Sequence, residues 1–472
     1  MKTSKDDGRS EADAGLSRLE ARIASDLEKI SWPPDYWVKP RTAADDSPML
    51  NVLVVGAGQG GLTIGFQLMR ERIDRILLVD SAPPEQRGPW RTYGRMKTLR
   101  SPKFVTGPDL DIPSLTFQSW FEAQFGALAW AELGKIPNAM WSDYLAWYER
   151  VLVLPVEAGS TVTALRPYDD RVEVDVSGPE PRTLQARHVV LANGIEGFGR
   201  WWMPDFVEAL PEPLRNHTAD RIDFPRLKGK TVAVLGAGAS AFDNAAAALV
   251  AGAEAVHIFV RRDALQRVQP FKQISYSGFL RHMGDLPVDM RWRFLRHLLT
   301  IREAFPKETW DRVMAHPNAV LHTGAGWTAA RAEGGRVRIE TAKGPFACDH
   351  VICGTGLAIG AEHRPELADI APRIATWGDR FPPAREEPRL AAYPFLGSSF
   401  ELQARAPADA AALARIRVFS FGSTMSFGPS GSSINALKFG PSRLVGGISA
   451  ALFAEGAEAH LADLLAYETP EF

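Results

Sequence analysis

One stretch limits the folds open to this chain. Residues 51–80 read NVLVVGAGQGGLTIGFQLMRERIDRILLVD. Val52–Val55 is an unbroken apolar run, the pattern of a strand buried on both faces. A glycine turn follows, Gly56-Ala57-Gly58-Gln59-Gly60-Gly61. A helical repeat then puts Leu62, Phe66, Leu68 and Met69 on or near one face, and a second strand, Ile76–Val79, ends on Asp80. Gly56 makes the tight turn, Gly58 lets a pyrophosphate approach the backbone, and Gly61 lets the helix lie close on the strand. The helix start offers free N–H groups to phosphate. Asp80, 24 residues beyond Gly56, stands where a carboxylate accepts hydrogen bonds from a ribose. Glycines alone are a weak sign; two flanking strands and a closing acid make them specific.

The pattern returns 180 residues later. TVAVLGAGASAFDNAAAALV carries Gly236, Gly238, Ser240 and Ala241 in a GxGxxA turn, and the next strand, AVHIFV, ends on Arg261 and Arg262. An acid suits an unphosphorylated ribose; an arginine pair suits a 2′-phosphate. The simplest assignment is FAD in the first unit and NADPH in the second. NADH stays open, because arginines at a strand end are also an ordinary solvated face. Two more strands close on glycines, VVLANG at Gly194 and VICGTG at Gly354-Thr355-Gly356. Strand C-termini are where open α/β sheets bind ligands.

The expected fold class is therefore α/β, with two Rossmann-like dinucleotide-binding domains and a helical insertion. Residues 1–47 read as an N-terminal helix and linker. Residues 48–224 read as the first part of the FAD domain, 225–375 as the NAD(P)H domain with an insert at 264–316, and 376–472 as the rest of the FAD domain. Within this frame 1–13 is expected to lack structure, and 14–30 to be an amphipathic helix followed by a polar linker, Arg41–Ser47. Helices are expected at Trp120–Phe125, Trp141–Leu154 and Arg291–Leu299, and a last strand at Val418–Phe421.

The chain has 472 residues and a net charge of -2, so nothing points to nucleic acid or an anionic membrane as partner. Its two cysteines, Cys348 and Cys353, are not spaced as a CxxC, and no metal site is read. No apolar run is long enough to span a bilayer. Low cysteine content and a polar, charged N-terminus point to the cytoplasm. The partner expected is a small-molecule substrate, with homo-oligomerisation open.

GAGQGG, the downstream Gly88-Pro89-Trp90, Gly194, GAGASA with Asp243, and Gly354-Thr355-Gly356 together resemble the class B flavoprotein monooxygenases. The resemblance covers nearly the whole chain. A flavin-containing monooxygenase motif would place Phe and Gly six and four residues before His217, where this chain has Pro211 and Pro213. MKTLRSPKFVTGPDLDIPSLTFQSWFEAQFG and SFGPSGSSINALKFGPSRLV are similar to the group that joins FAD-dependent urate hydroxylases with aspartate N-monooxygenases. That resemblance implies NAD(P)H and O2 consumption and flavin hydroperoxide chemistry. It favours hydroxylation of urate to 5-hydroxyisourate, with N-hydroxylation of aspartate or another small amine as the alternative.

Such chemistry needs no protein nucleophile or metal. It needs a dry site and cations for an anionic substrate. Arg100 and Lys103, on the loop after the FAD unit, are the candidates, with Gln273 and Tyr276 of the insert as possible partners for a purine. Trp90 and Gly194 join Gly56, Gly58, Gly61 and Asp80 as expected FAD contacts, as do Gly422, Ser426 and Gly428, with Ser432 and Asn435 beside them. His217 reads as structural before it reads as a base. Two rivals remain: a disulfide reductase using Cys348 and Cys353, and a non-catalytic nucleotide-binding protein.

Overall fold

The computed structural model describes residues 3–42, 48–301, 303–429, 431 and 433–472. Most of the expected linker, 43–47, and Ser432 lie outside the described residues. Leu50–Val55 lies inside a seven-stranded sheet, with Val52, Leu53 and Val54 fully buried. That double-sided burial is why the strand shows no polar alternation. Ile76–Asp80 and Arg182–Leu191 flank it, both parallel, so that Val54 faces Leu78 and Val190. Val156–Ala158 extends the parallel part on one side. Arg182–Leu191 then serves two directions. Its last residues pair parallel with Ile416–Val418, and its first pair antiparallel with Val172–Ser177, which pairs with Thr161–Pro167.

The second sheet has five parallel strands in the spatial order Ala319–His322, Ala255–Phe259, Thr231–Leu235, His350–Cys353, Arg215–His217. Three antiparallel strands, Trp327–Glu333, Arg336–Thr341 and Gly344–Cys348, cover it, and Val337 and Ile339 join the core of Phe259 and Val351. A short antiparallel ribbon, Gly199–Trp201 with Leu357–Ile359, pairs two segments beyond the closing strands of the two sheets.

Several elements depart from expectation. The first helix runs Thr3–Lys29, not from residue 14. Leu19 and Ile23 anchor it by burial, and once nucleated a helix propagates through polar residues at small cost. The helix expected at Trp120–Phe125 extends over Phe117–Glu132, broken at Gly126 with φ +83°. The last strand is Ile416–Val418 rather than Val418–Phe421. Val418 sits opposite Leu191, where the partner strand stops, so the ladder ends there.

The insert is helical, with Val288–Ile301 and Lys307–Met314 as its longer helices. Of its aromatics Phe279 and Trp292 are buried in the core, whereas Tyr276 and Phe294 are exposed. Trp292 is buried with its ring 6.0 Å from Trp377, and the Arg291 guanidinium lies 5.5 Å from the Trp377 ring. The C-terminal helix, Gly440–Leu465, is tied to the first sheet through Glu455, which accepts from Arg187 Nη2 at 2.6 Å and Arg415 Nη1 at 3.0 Å.

Candidate active site

Two glycine turns open at the C-terminal ends of the parallel strands of the two sheets. In the first, a Cβ on Gly56 would lie 2.6 Å from Ala192 O, and one on Gly61 would lie 1.8 Å from Gly56 O. Only glycine lets these backbones touch. At Gly58 a Cβ would meet nothing within 4 Å, so that face is open to a phosphate. Asp80 Oδ2 accepts from Ala57 N at 2.7 Å, and Oδ1 from Ala82 N at 2.8 Å. The acid braces the turn, and each oxygen keeps a lone pair for a ligand.

A hollow beside this turn is lined by Ala57, Gly58, Leu62, Arg87, Ser142 and Glu149, among others. Arg87 is buried and forms a close ion pair with Glu149. Burial raises the Glu149 pKa, the Arg87 charge opposes the rise, and the Asp80 charge adds to it. Neither residue is legible from periodicity; adjacency to Gly88-Pro89-Trp90 is the one available hint for Arg87. The Trp90 ring lies 6.4 Å from Trp141, whose Nε1 donates to Gln59 Oε1 at 3.2 Å. Trp90 is thus one ring removed from the glycine turn.

Gly194 has φ +79° and open space beside it. Its neighbour Asn193 donates to Glu366 Oε1 at 3.3 Å, and Arg364 pairs with the same carboxylate at 2.9 Å. Among the described residues Asn193 Oδ1 is buried without a partner. An open glycine, an orphaned acceptor and a braced turn at one sheet end fit a bound dinucleotide. Glu366 was not anticipated from sequence, because it acts 173 residues away from Asn193. Three of the C-terminal residues expected near flavin are tightly packed. A Cβ on Gly422 would press 2.5 Å from Phe198, Ser426 accepts from Trp377 Nε1 and Leu396 N inside the core, and Gly428, φ +75°, abuts Phe279. Asn435 Nδ2 donates to Ser275 of the insert at 3.3 Å.

The second turn repeats the first with one substitution. A Cβ on Gly236 would lie 2.4 Å from Gly354 O, and one on Gly354 would lie 2.7 Å from the Ala241 Cβ. The third fingerprint position and the closing GTG are therefore one packing unit. Gly238 and Gly356 face open space, and Ser240 is exposed at the helix start. Thr355 donates to Trp202 O. Arg261 is exposed, whereas Arg262 donates to Ile301 O at 3.0 Å and Thr300 O at 2.8 Å. Arg262 thus holds the carbonyl end of an insert helix, a favourable place for a cation.

The expected substrate cations are both engaged. Arg100 Nη2 donates to Asp243 Oδ2 at 3.1 Å. Lys103 Nζ donates to Trp130 O and Ala131 O and lies 4.7 Å from the Trp130 ring. Gln273 and Tyr276 are exposed on the insert, with no side-chain hydrogen bond among the described residues. His217 is buried, and its Nδ1 accepts from Ala219 N at 3.1 Å. Burial pulls its pKa down to about 4, against the opposing Asp220 charge. It stays neutral with the proton on Nε2, which makes it a poor base.

Cys348 and Cys353 are buried free thiols, each pushed by burial up to about 12. Thiols held protonated this way do not attack disulfides. Among the described residues no helix is long and apolar enough to cross a membrane, and no cluster of three or more His, Cys, Asp or Glu side chains is arranged to hold a metal.

Residues 53–279 match the pyridine nucleotide-disulphide oxidoreductase family. Over 464 residues, 97% of each chain, the protein is 38% identical to an FAD-dependent urate hydroxylase of Xanthomonas campestris. Its fold is similar to that of the ornithine N-hydroxylase of Kutzneria sp. 744 (TM-score 0.67, 19% identity, 86% of this chain and 100% of that one). It is similar too to L-lysine 6-monooxygenase of Pseudomonas syringae (TM-score 0.66, 19% identity, 85% and 99%). With two Rossmann-type units and that identity along nearly its whole length, the chain belongs to the class B family of flavin-dependent monooxygenases.

Proposed function

We propose that this monooxygenase binds FAD at the first glycine turn and NADPH or NADH at the second, and hydroxylates urate to 5-hydroxyisourate. The observation that carries the substrate is the 38% identity to a urate hydroxylase across 97% of both chains. The amine-hydroxylating neighbours share only the fold, at 19% identity. The reaction balances as urate, O2, NAD(P)H and a proton giving 5-hydroxyisourate, NAD(P)+ and water. Bound flavin would supply the redox chemistry, taking hydride from the nicotinamide and activating O2.

The chain's own residues bind, orient and exclude water. Gly56, Gly58 and Gly61 admit the FAD pyrophosphate, Asp80 accepts from its ribose, and Gly194 lets the ligand pass the closing strand. Trp141, backed by the Trp90 ring, walls the turn, which keeps water away from a reactive centre. Gly236, Gly238, Ala241 and Gly354–Gly356 do the same for the nicotinamide nucleotide, with Ser240 at the helix start and Arg261 free to meet a 2′-phosphate. Gln273 and Tyr276 offer an amide and a ring to a purine.

The test is a substrate screen with purified, FAD-loaded protein. Urate-dependent NAD(P)H oxidation, oxygen uptake and loss of the urate absorbance are the expected outcome. Oxygen uptake that responds to aspartate, ornithine or lysine and yields a hydroxylamine, with none on urate, would overturn it.

A further inference from the structure

Side chains from both units converge on one carboxylate. Asp243 is 2% exposed, in the helix Ala239–Val250 behind the second glycine turn. Its Oδ2 accepts from Arg100 Nη2 at 3.1 Å, reaching across from the loop that follows the first unit. Its Oδ1 accepts from Arg312 Nη1 at 3.0 Å and from Thr309 Oγ1 at 3.4 Å, both on the insert helix Lys307–Met314. The junction continues outward. Arg312 Nη1 lies 3.4 Å from Arg95 O, and Arg95 Nη2 donates to Asp220 O at 2.8 Å. Lys135 pairs with Glu308 at 3.0 Å.

The arrangement is asymmetric. Arg312 and Thr309 tie Asp243 to its own side, and Arg100 alone among the described residues brings the other unit's loop to this carboxylate. A buried carboxylate with two guanidinium partners is hard to replace, because removing it leaves two partly exposed cations without their shared counter-charge. Its loss therefore releases the Arg100 end of the loop as well as weakening the fold, while Arg95 still holds the other end to Asp220 O and Arg312. The same loop follows the FAD-side Gly88-Pro89-Trp90, and the helix that carries Asp243 starts at the nucleotide turn.

We propose that Asp243 is a positioning residue. Through Arg100 it sets where the 95–103 loop stands against the second unit's nucleotide helix, and so sets the geometry of hydride transfer from the nicotinamide, which is oxidised, to the flavin, which is reduced. The proposal rests on the two-nucleotide reading above. A misplacement of about an ångström can cost on the order of a hundredfold in rate without abolishing binding.

The experiment compares full-length holoenzyme with Asp243→Asn, Arg100→Ala, Arg100→Lys and the double variant Asp243→Asn/Arg100→Ala. Amide hydrogen exchange over residues 95–103 reads the clasp directly, and anaerobic single-turnover flavin reduction by NADPH reads its consequence. Exchange in that segment is expected to speed up about tenfold in either single variant. Flavin reduction should slow about tenfold or more with NADPH affinity held within about twofold. The double variant should be no worse than Asp243→Asn alone, as for two ends of one contact, and Arg100→Lys should recover most of the rate.

Unchanged exchange over 95–103 would overturn the proposal, and so would single effects that multiply in the double variant. A slowing that tracks only lost flavin content or lost folded protein would also overturn it. If Asp243→Asn does not fold, Arg100→Ala, whose side chain is 36% exposed, carries the same readouts. Wild-type protein that takes up no flavin refutes the functional reading instead, and the exchange measurement still decides the clasp.

Discussion

In the first nucleotide unit the charge that ends the second strand is turned inward. Asp80 accepts two backbone N–H groups of its own turns, and the Arg87–Glu149 pair is buried beside it. In the second unit Arg261 stays exposed, and Arg262 is drawn away to the carbonyl end of an insert helix. The glycine turns are otherwise alike: each buries one glycine against backbone and leaves the next open. A binding turn can thus be copied as local geometry, while the groups around it follow each unit's packing. A unit that braces its turn from within suits a ligand held through turnover, and a more open one suits a ligand that comes and goes.

The glycines give the largest break in that comparison. Gly61→Val would place side-chain atoms where a Cβ is already 1.8 Å from Gly56 O, a cost of more than about 4 kcal/mol. Gly58→Ala meets nothing within 4 Å, so it should melt near wild type yet purify with little flavin. Thermal denaturation beside the flavin absorbance separates the two. A fully yellow Gly58→Ala protein would mean that the pyrophosphate does not lie there.

Breaking the braced pair comes next. Glu149→Gln leaves Arg87, 7% exposed, without its counter-charge, and should cost about 3 to 5 kcal/mol. Arg262→Ala, at the exposed counterpart, should barely move the urea midpoint. Equal shifts would erase the distinction drawn between the units.

Acid should weaken the second unit through its buried histidines. His217 and His350 are each pulled down to about 4, mainly by burial. Their folded values lie below the usual 6.5, so the unfolded chain binds protons first. The stabilising effect is whole above about pH 6.5 and is lost as pH falls towards 4, at most about 3 kcal/mol for each histidine. His217→Phe should flatten the dependence of unfolding free energy on pH across that window. An unchanged slope would show that His217 does not titrate there.

The smallest effect sharpens coenzyme choice. Arg261→Ala should raise KM for NADPH about tenfold and leave KM for NADH in place. Parallel changes for both coenzymes would mean that Arg261 does not read a 2′-phosphate.

Much of the fold could be read before the structure, and little of its wiring. Both strand–turn–helix units, the closing glycines and the insert were legible because each is a property of a short run of backbone. The start of the first helix and the register of the last strand were not: the first follows from propagation beyond a packed segment, the second from where Leu191 ends its ladder. Ser426 looks like a polar loop residue in sequence, and its partners, Trp377 and Leu396, come from other turns. Lys103 reads as a free cation until the carbonyl end of the helix Phe117–Glu132 comes beside it.

By itself the amino-acid order determined that two dinucleotide turns exist and that the first ends in an acid and the second in arginines. Spacing and the conformational freedom of glycine act over a few residues, so no distant partner is needed to express them. Only the tertiary structure decided which charges are free. Arg100 meets Asp243 across 143 residues of chain, Arg87 meets Glu149 across 62, and Arg187 meets Glu455 across 268. An ion pair is made by proximity in space, and burial sets its strength.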